Sequence, residues 1–267
     1  VKLVSSRDNP LVKRLRALAT SAKERRKLEQ TIVDGPHLVR AALDAHWPIL
    51  ELVVSERGLE RDEILTLQGE CGEVPITLLP DALFAHVSPV ETPSGMLAVI
   101  GVPPEAPLTP RIDTSVLVLD GVQDPGNLGT ILRTAAAAGL AHVVLTKGSV
   151  QAWSPKVLRA GMGAHFCLTI HEHADATEVL RAFPGQILAT RLDAAAIPLF
   201  ECDLSDPVAW LFGGEGAGLS AELAALATAS VMIPMPGAIE SLNVGAAAAI
   251  CLFEQLRQNR ATSRPDR

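Results

Sequence analysis

The chain has 267 residues, 48% hydrophobic and 20% charged, with a net charge of −7. These values describe a folded globular protein of about two domains and exclude a mainly disordered chain. The longest apolar-plus-glycine run, 244–253, is too short to span a membrane, and the opening Val1-Lys2-Leu3-Val4 carries no apolar leader, so a soluble cytoplasmic protein is expected.

Charge is unevenly spread. Residues 1–40 hold ten Lys/Arg against four Asp/Glu, while the other 227 hold 13 against 26. Such asymmetry marks either a nucleic-acid contact or a solvated amphipathic helix. Aromatics are 3% with no Tyr, which argues against a base-stacking platform. Cys71, Cys167, Cys202 and Cys251 lie far apart, which excludes a zinc ribbon and disfavours a disulfide framework. His171-Glu172-His173 has no third ligand nearby, so it reads as a surface turn and no metal is expected.

In chain order, 11–28 reads as one basic helix, with Leu11, Leu15, Leu18 and Ala22 near helical spacing. A strand at 31–33, a helix from 34 to 45, a strand at 50–55, a helix near 59–67 and strands at 75–79 and 95–102 complete an α/β unit. Four prolines in eight positions, 103–110, then break regular structure. The expected division is a domain at 1–101, a linker at 102–113, a second domain at 114–260 and a tail at 261–267. In the second domain, strands are predicted at 115–119, 142–145, 186–190, 208–212 and 231–233. Helices are predicted at 126–138, 155–159, 174–182, 220–227 and 243–258, with fraying from 259. The near-continuous apolar strands imply an open parallel sheet flanked by helices. Ligands of such sheets bind beyond the carboxyl ends of the strands, so the loops there are the candidates.

Three loops stand out. In the first, 119–133, Asn127 is a helix cap or a polar ligand group, and Arg133 sits in an Ala/Leu/Ile-rich helix, where it either extends to solvent or, if buried, needs a partner. In the second, Gly213, Gly214, Gly216 and Gly218 surround Glu215, implying close backbone approach without Gly-x-Gly-x-x-Gly or P-loop spacing. A dinucleotide-dependent oxidoreductase fails on that spacing. The third runs from Ile233-Pro-Met235 to Ser241-Leu-Asn243, with Glu240 beside two residues able to cap a helix.

Together these blocks resemble the SpoU family of RNA ribose 2′-O-methyltransferases, within the SPOUT superfamily. The resemblance lies in Asn127-Leu-Gly129-Thr-Ile-Leu-Arg133, Gly213-Gly-Glu215-Gly-Ala-Gly218, and Ile233-Pro-Met235 with Ser241-Leu-Asn-Val244. Residues 154–163 resemble the family's intermediate segment. Asn9-Pro-Leu-Val-Lys13, Asp34-Gly-Pro-His-Leu-Val39 and 91–99 resemble the L30e-type RNA-binding domain of the rRNA-modifying branch. Asp34 stands where Glu is usual, and Gly245 where Ser is frequent.

The resemblance implies an α/β protein whose C-terminal parallel sheet carries a deep trefoil knot, preceded by a smaller L30e-like domain. It implies a homodimer, S-adenosylmethionine as cofactor and RNA as partner, 23S rRNA before tRNA, with a non-catalytic ribosome assembly factor as the alternative of another class. Arg133, Asn127, Glu215, Ser241 and Asn243 would be catalytic, with Glu215 pairing with Arg133 or fixing the loops. Gly213, Ile233, Leu242, Thr190 and Leu192 would hold the cofactor. Lys13, Arg14, Arg25, Arg26 and Lys27 would contact RNA phosphates. A methyl donor with a cationic sulfur needs neither metal nor covalent nucleophile; positioning and removal of the hydroxyl proton remain.

Overall fold

The computed structural model describes residues 1–104 and 112–262, so most of the predicted linker, and the tail beyond 262, lie outside the described residues. Contacts divide the molecule into two units. The first is Val1–Pro104 with Trp153–Phe166, and the second holds the remaining described residues.

The first unit begins with β1 (Lys2–Leu3), α1 (Pro10–Thr20) and α2 (Ala22–Leu28). The single basic helix expected over 11–28 is therefore two. Ser21 is extended (φ −114°, ψ 113°) and ends α1, while its hydroxyl accepts from Glu24 N at 3.2 Å and starts α2. Next come β2 (Gln30–Asp34), α3 (Pro36–Asp44), β3 (Ile49–Ser55), α4 (Asp62–Glu70), β4 (Ile76–Leu79), α5 (Asp81–Val87) and β5 (Met96–Gly101). The sheet order is β1-β4-β3-β5-β2, with β5 antiparallel to both β3 and β2. Leu15 and Leu18 of α1 pack with Ile32, Val53, Phe84 and Leu97 in its core.

The later elements are β6 (Val116–Asp120), α6 (Pro125–Ala137), β7 (His142–Leu145), α7 (Pro155–Gly161), β8 (Thr169–His171), α8 (Ala176–Ala182), β9 (Gln186–Thr190), β10 (Ile197–Pro198), β11 (Val208–Gly213), α9 (Ala221–Leu226), β12 (Ala229–Met232) and α10 (Val244–Thr262). By its contacts, helix α7 groups with the first unit. Two aromatic contacts fasten its segment there: Trp47 stacks on Trp153 at 5.6 Å and meets Phe166 at 5.3 Å. Thr31 on the edge strand β2 donates its hydroxyl proton to the Trp153 carbonyl at 2.7 Å.

The second unit carries a seven-stranded, wholly parallel sheet in the order β10-β12-β9-β11-β6-β7-β8. Val116, Val118, Val144, Ala189, Ala209 and Leu211 form its core. The strand β8 ends at His171, which is buried, so the expected surface turn does not include it; Glu172 and His173 follow the strand in a half-buried bend, with His173 at φ 53°. Helix α10 continues to Thr262, beyond the fraying expected from 259. Because β12, β9, β11 and β6 are parallel neighbours about 4.8 Å apart, their carboxyl ends gather within about 15 Å. No described helix is long and apolar enough to cross a membrane.

Candidate active site

The three loops meet at that end of the second unit's sheet. Helix α6 starts earlier than expected. Pro125 occupies its first turn, and Asp124, not Asn127, is the cap, accepting from Asn127 N at 2.7 Å. The Asn127 side chain is thereby free for other work. Its amide donates to Glu215 Oε1 at 2.5 Å, and its oxygen accepts from Asn243 Nδ2 at 2.8 Å. Asn243 Oδ1 accepts from Gly245 N (2.8 Å) and Ala246 N (3.3 Å) at the start of α10. The direction of this relay is forced: the first backbone amides of α10 need an acceptor, so Asn243 must turn its NH2 to Asn127, and Asn127 must turn its own to the carboxylate. One chain of hydrogen bonds thus joins all three loops.

The glycine-rich loop is tight for a reason internal to the protein. A Cβ on Gly213 would lie 2.1 Å from the Gly218 carbonyl carbon, and one on Gly214 would lie 2.2 Å from the Gly121 oxygen. The close approach implied by the sequence is therefore backbone against backbone. Asp120, which the sequence reading passed over, fastens the loop at both ends. Its carbonyl accepts from Gly214 N at 2.8 Å and its Oδ2 from Ser220 N at 2.7 Å, while Oδ1 accepts from the Thr146 hydroxyl at 2.7 Å. An Asp at the carboxyl end of a buried apolar strand, followed by Gly121, was the available signal.

A cavity of about 660 Å³ opens beside the relay. Gly213, Ile233, Leu242, Thr190 and Leu192, the five proposed cofactor residues, all line it, as do Glu215, Ser241 and Asn243. Thr190 donates its hydroxyl proton to the Leu211 carbonyl at 2.9 Å, which pins β9 to β11 at the cavity's edge. Met235, part of the third motif but given no role there, also lines it. Asn127 reaches the cavity's rim only through its bonds to Glu215 and Asn243. Arg133 does not line the cavity. It is exposed on α6 and makes no hydrogen bond or ion pair among the described residues, so of its two readings the solvent-facing one holds, and Glu215 bonds Asn127 rather than Arg133.

The five basic candidates in the first unit fare differently. Arg25 is buried and donates to the Leu18 carbonyl at 2.8 Å; Arg14 is ion-paired with Glu51, whose other oxygen accepts from Thr77. Both are tied up in holding α1 and α2, and neither is free for phosphate. Lys13 is exposed and pairs loosely with Asp8 at 3.1 Å, whereas Arg26 and Lys27 are exposed without side-chain partners among the described residues. Among the described residues no cluster of His, Cys, Asp or Glu is arranged to hold a metal ion. Cys251, on the inner face of α10, is a core thiol, pushed up to about 12 by burial.

Comparison with known proteins agrees with this architecture. Residues 114–253 match the SpoU rRNA Methylase family, and residues 9–98 match the MRM3-like substrate binding domain. The 23S rRNA (guanosine(2553)-2′-O)-methyltransferase RlmP of Bacillus subtilis is 35% identical over 95% of this chain and 98% of its own. The crystal structure of an AdoMet-bound rRNA methyltransferase from Sinorhizobium meliloti superposes with a TM-score of 0.83 at 32% identity, covering 96% of this chain and 97% of that one. The SpoU methyltransferase AviRb from Streptomyces viridochromogenes, solved with AdoMet, gives 0.83 at 25% identity, over 96% and 100%. With a polar relay joining its three motif loops, and a family match over more than half its length, the chain belongs to the SpoU rRNA methylase family.

Proposed function

We propose that this protein transfers a methyl group from S-adenosylmethionine to a ribose 2′-hydroxyl of RNA, with 23S rRNA as the substrate and the cytoplasm as the compartment. The observation that carries this reading is the Glu215–Asn127–Asn243 relay at the mouth of a cavity lined by Gly213, Ile233 and Leu242. The cavity's size lies in the range of cofactor sites, and its lining of apolar side chains beside exposed loop backbone fits an adenosine with an amino-acid tail. When bound, S-adenosylmethionine supplies a methyl group on a cationic sulfur, already activated for transfer.

The chain's own residues do the rest. Ile233 and Leu242 pack the nucleoside's faces, Thr190 and Leu192 close one side, and the Gly213 backbone reads its edge. Asn127, Ser241 and Asn243 orient the ribose and its phosphate, with Glu215 locking the amides in their donor and acceptor senses. Arg133 holds the target phosphate and stabilises charge as the hydroxyl proton leaves; a guanidinium stays protonated, so positioning suits it better than proton abstraction. Being exposed and away from the cavity, Arg133 acts in a homodimer. The outward side of α10, where Phe253 is 47% exposed, is the face for the second copy. The MRM3-like match of the first unit and the rRNA specificity of full-length relatives favour rRNA over tRNA.

The test is transfer from labelled S-adenosylmethionine to total rRNA and, separately, total tRNA, with wild type and Arg133→Ala side by side. Label in a 2′-O-methylated rRNA nucleotide, falling on the order of 10²–10³-fold in the variant while donor affinity holds, is the expected result. Label in tRNA alone moves the substrate to the alternative. No label in either, with donor and RNA both bound, makes the protein a non-catalytic assembly factor. Light scattering of the purified chain reads the dimer directly.

A further inference from the structure

The sequence's basic stretch and the inserted segment 153–166 are more than a hundred residues apart, yet both are built around one strand. Helix α2 runs directly into β2, and both α2 and α7 pack against it. Trp153, just before α7, bonds Thr31 near the start of β2. At the other end of the strand, burial raises the pKa of Asp34, opposed by a hydrogen bond from Ser88 and by the charge of Arg159. The segment made of Trp153 and α7 therefore packs against β2, with Trp153 at Thr31 and the charge of Arg159 felt at Asp34.

The charge is sorted the same way. Residues 41–104 of this unit hold two Lys/Arg against ten Asp/Glu, whereas 153–166 hold Lys156 and Arg159 and no acid. Lys156 and Arg159 sit three apart on α7, are exposed, and make no side-chain hydrogen bond or ion pair among the described residues; the same holds for Lys23, Arg26 and Lys27 on α2. The acids in these stretches are Glu24, Glu29 and Asp34. Three other arginines of the unit are ion-paired, Arg40 with Glu70, Arg57 with Asp81 and Arg61 with Glu63, whereas Arg7 near the start of the chain is exposed and unpaired among the described residues. Cations left unpaired are what a polyanion can use without first breaking an ion pair.

We propose that α2 and α7 form one RNA-contact surface along β2, in which Lys156 and Arg159 join Arg26 and Lys27 in binding the phosphodiester backbone of the substrate. This rests on the reading of the chain as an RNA methyltransferase and adds to it a second, sequence-distant segment. Its contacts are to phosphate, so they set affinity and salt dependence and not which nucleotide is modified. The fold explains the placement: a segment following β7 is carried to the first unit by Trp153 and Phe166, and it brings two cations with it.

The experiment uses the full chain and transcribed 23S rRNA. Binding is measured across a salt series for wild type, Lys156→Gln/Arg159→Gln, Arg26→Gln/Lys27→Gln and, as a control on the acidic side, Arg57→Gln. Each double variant is expected to make the slope of log affinity against log salt shallower by about 1.5–2. It should raise KM for RNA and leave kcat at saturating RNA, donor affinity and Tm unchanged; Arg57→Gln should match wild type. An unaltered slope in Lys156→Gln/Arg159→Gln overturns the proposal, including the case in which that variant loses affinity only for polyglutamate, the mark of an acidic protein partner. Failure of the enzymatic reading is separate: it is wild type transferring no methyl group, whatever the slope.

Discussion

The two units treat their sequence signals in opposite ways. In the second, residues drawn from four different loops converge: eight of the proposed site residues line one cavity, and a ninth, Asn127, is bonded to two of them. In the first, five residues drawn from one short basic stretch diverge, since Arg14 and Arg25 turn inward and only Arg26 and Lys27 stay unpaired. The difference is geometric. A parallel sheet sends the loops after all its strands to one end, so loop motifs must meet there. A helix sends successive residues round its whole circumference, so neighbours in sequence part company. Motif residues on strand-to-helix loops are therefore safer guides to a site than a run of charge.

That contrast can be broken experimentally. The largest effect is expected in the convergent region. Gly213→Ala puts a Cβ where the Gly218 backbone lies, 2.1 Å away. Overpacking of this kind costs roughly 1–3 kcal/mol, so calorimetry should find donor affinity reduced about 10–100-fold. Asn127→Ala interrupts the relay without touching the cavity wall. Single-turnover methyl transfer should slow about tenfold with little change in donor affinity, in line with the roughly 1.5 kcal/mol of a hydrogen bond to a charged group. Equal loss of donor binding would mean the relay shapes the cavity and has no separate part in the chemistry.

In the divergent region the prediction splits two adjacent arginines. Arg25→Met should lower stability by about 1–3 kcal/mol in thermal unfolding, because the Leu18 carbonyl loses its buried partner, and should leave the salt dependence of RNA binding alone. Arg26→Gln should do the reverse. The smallest effect concerns Asp34, whose pKa burial raises above its ordinary 3.8. The folded chain then holds this proton to higher pH than the unfolded chain does. Folding takes up a proton between the two pKa values, so the residue's contribution to stability falls as pH rises through that window and stays low above it. Relative to wild type, the Tm of Asp34→Asn should climb over the same window and level off above it; a difference in Tm independent of pH would contradict the assignment.

Much of this was legible in the residues. The strands of the second unit are near-continuous apolar runs, which is what burial on both faces of a parallel sheet requires, and their positions follow from hydropathy alone. The three motif loops could be named because glycines, Asn and Ser stood between such strands and the helices that follow them. Strands β8 and β10, of three and two residues, were too short to leave a period. The break at Ser21 was hidden because the apolar spacing of α1 runs on into α2.

Sequence by itself determined the class of fold, the loops that matter and the family, since each depends on local pattern and spacing. Tertiary structure alone decided the rest. It chose Asp124 over Asn127 as the cap, because only the fold could offer Asn127 the competing partners Glu215 and Asn243. It set the order β10-β12-β9-β11-β6-β7-β8, which periodicity cannot encode. It moved 153–166 into the first unit through Trp47, an aromatic partner a hundred residues earlier. In each case the deciding interaction joins groups distant in the chain, and no window of sequence contains both.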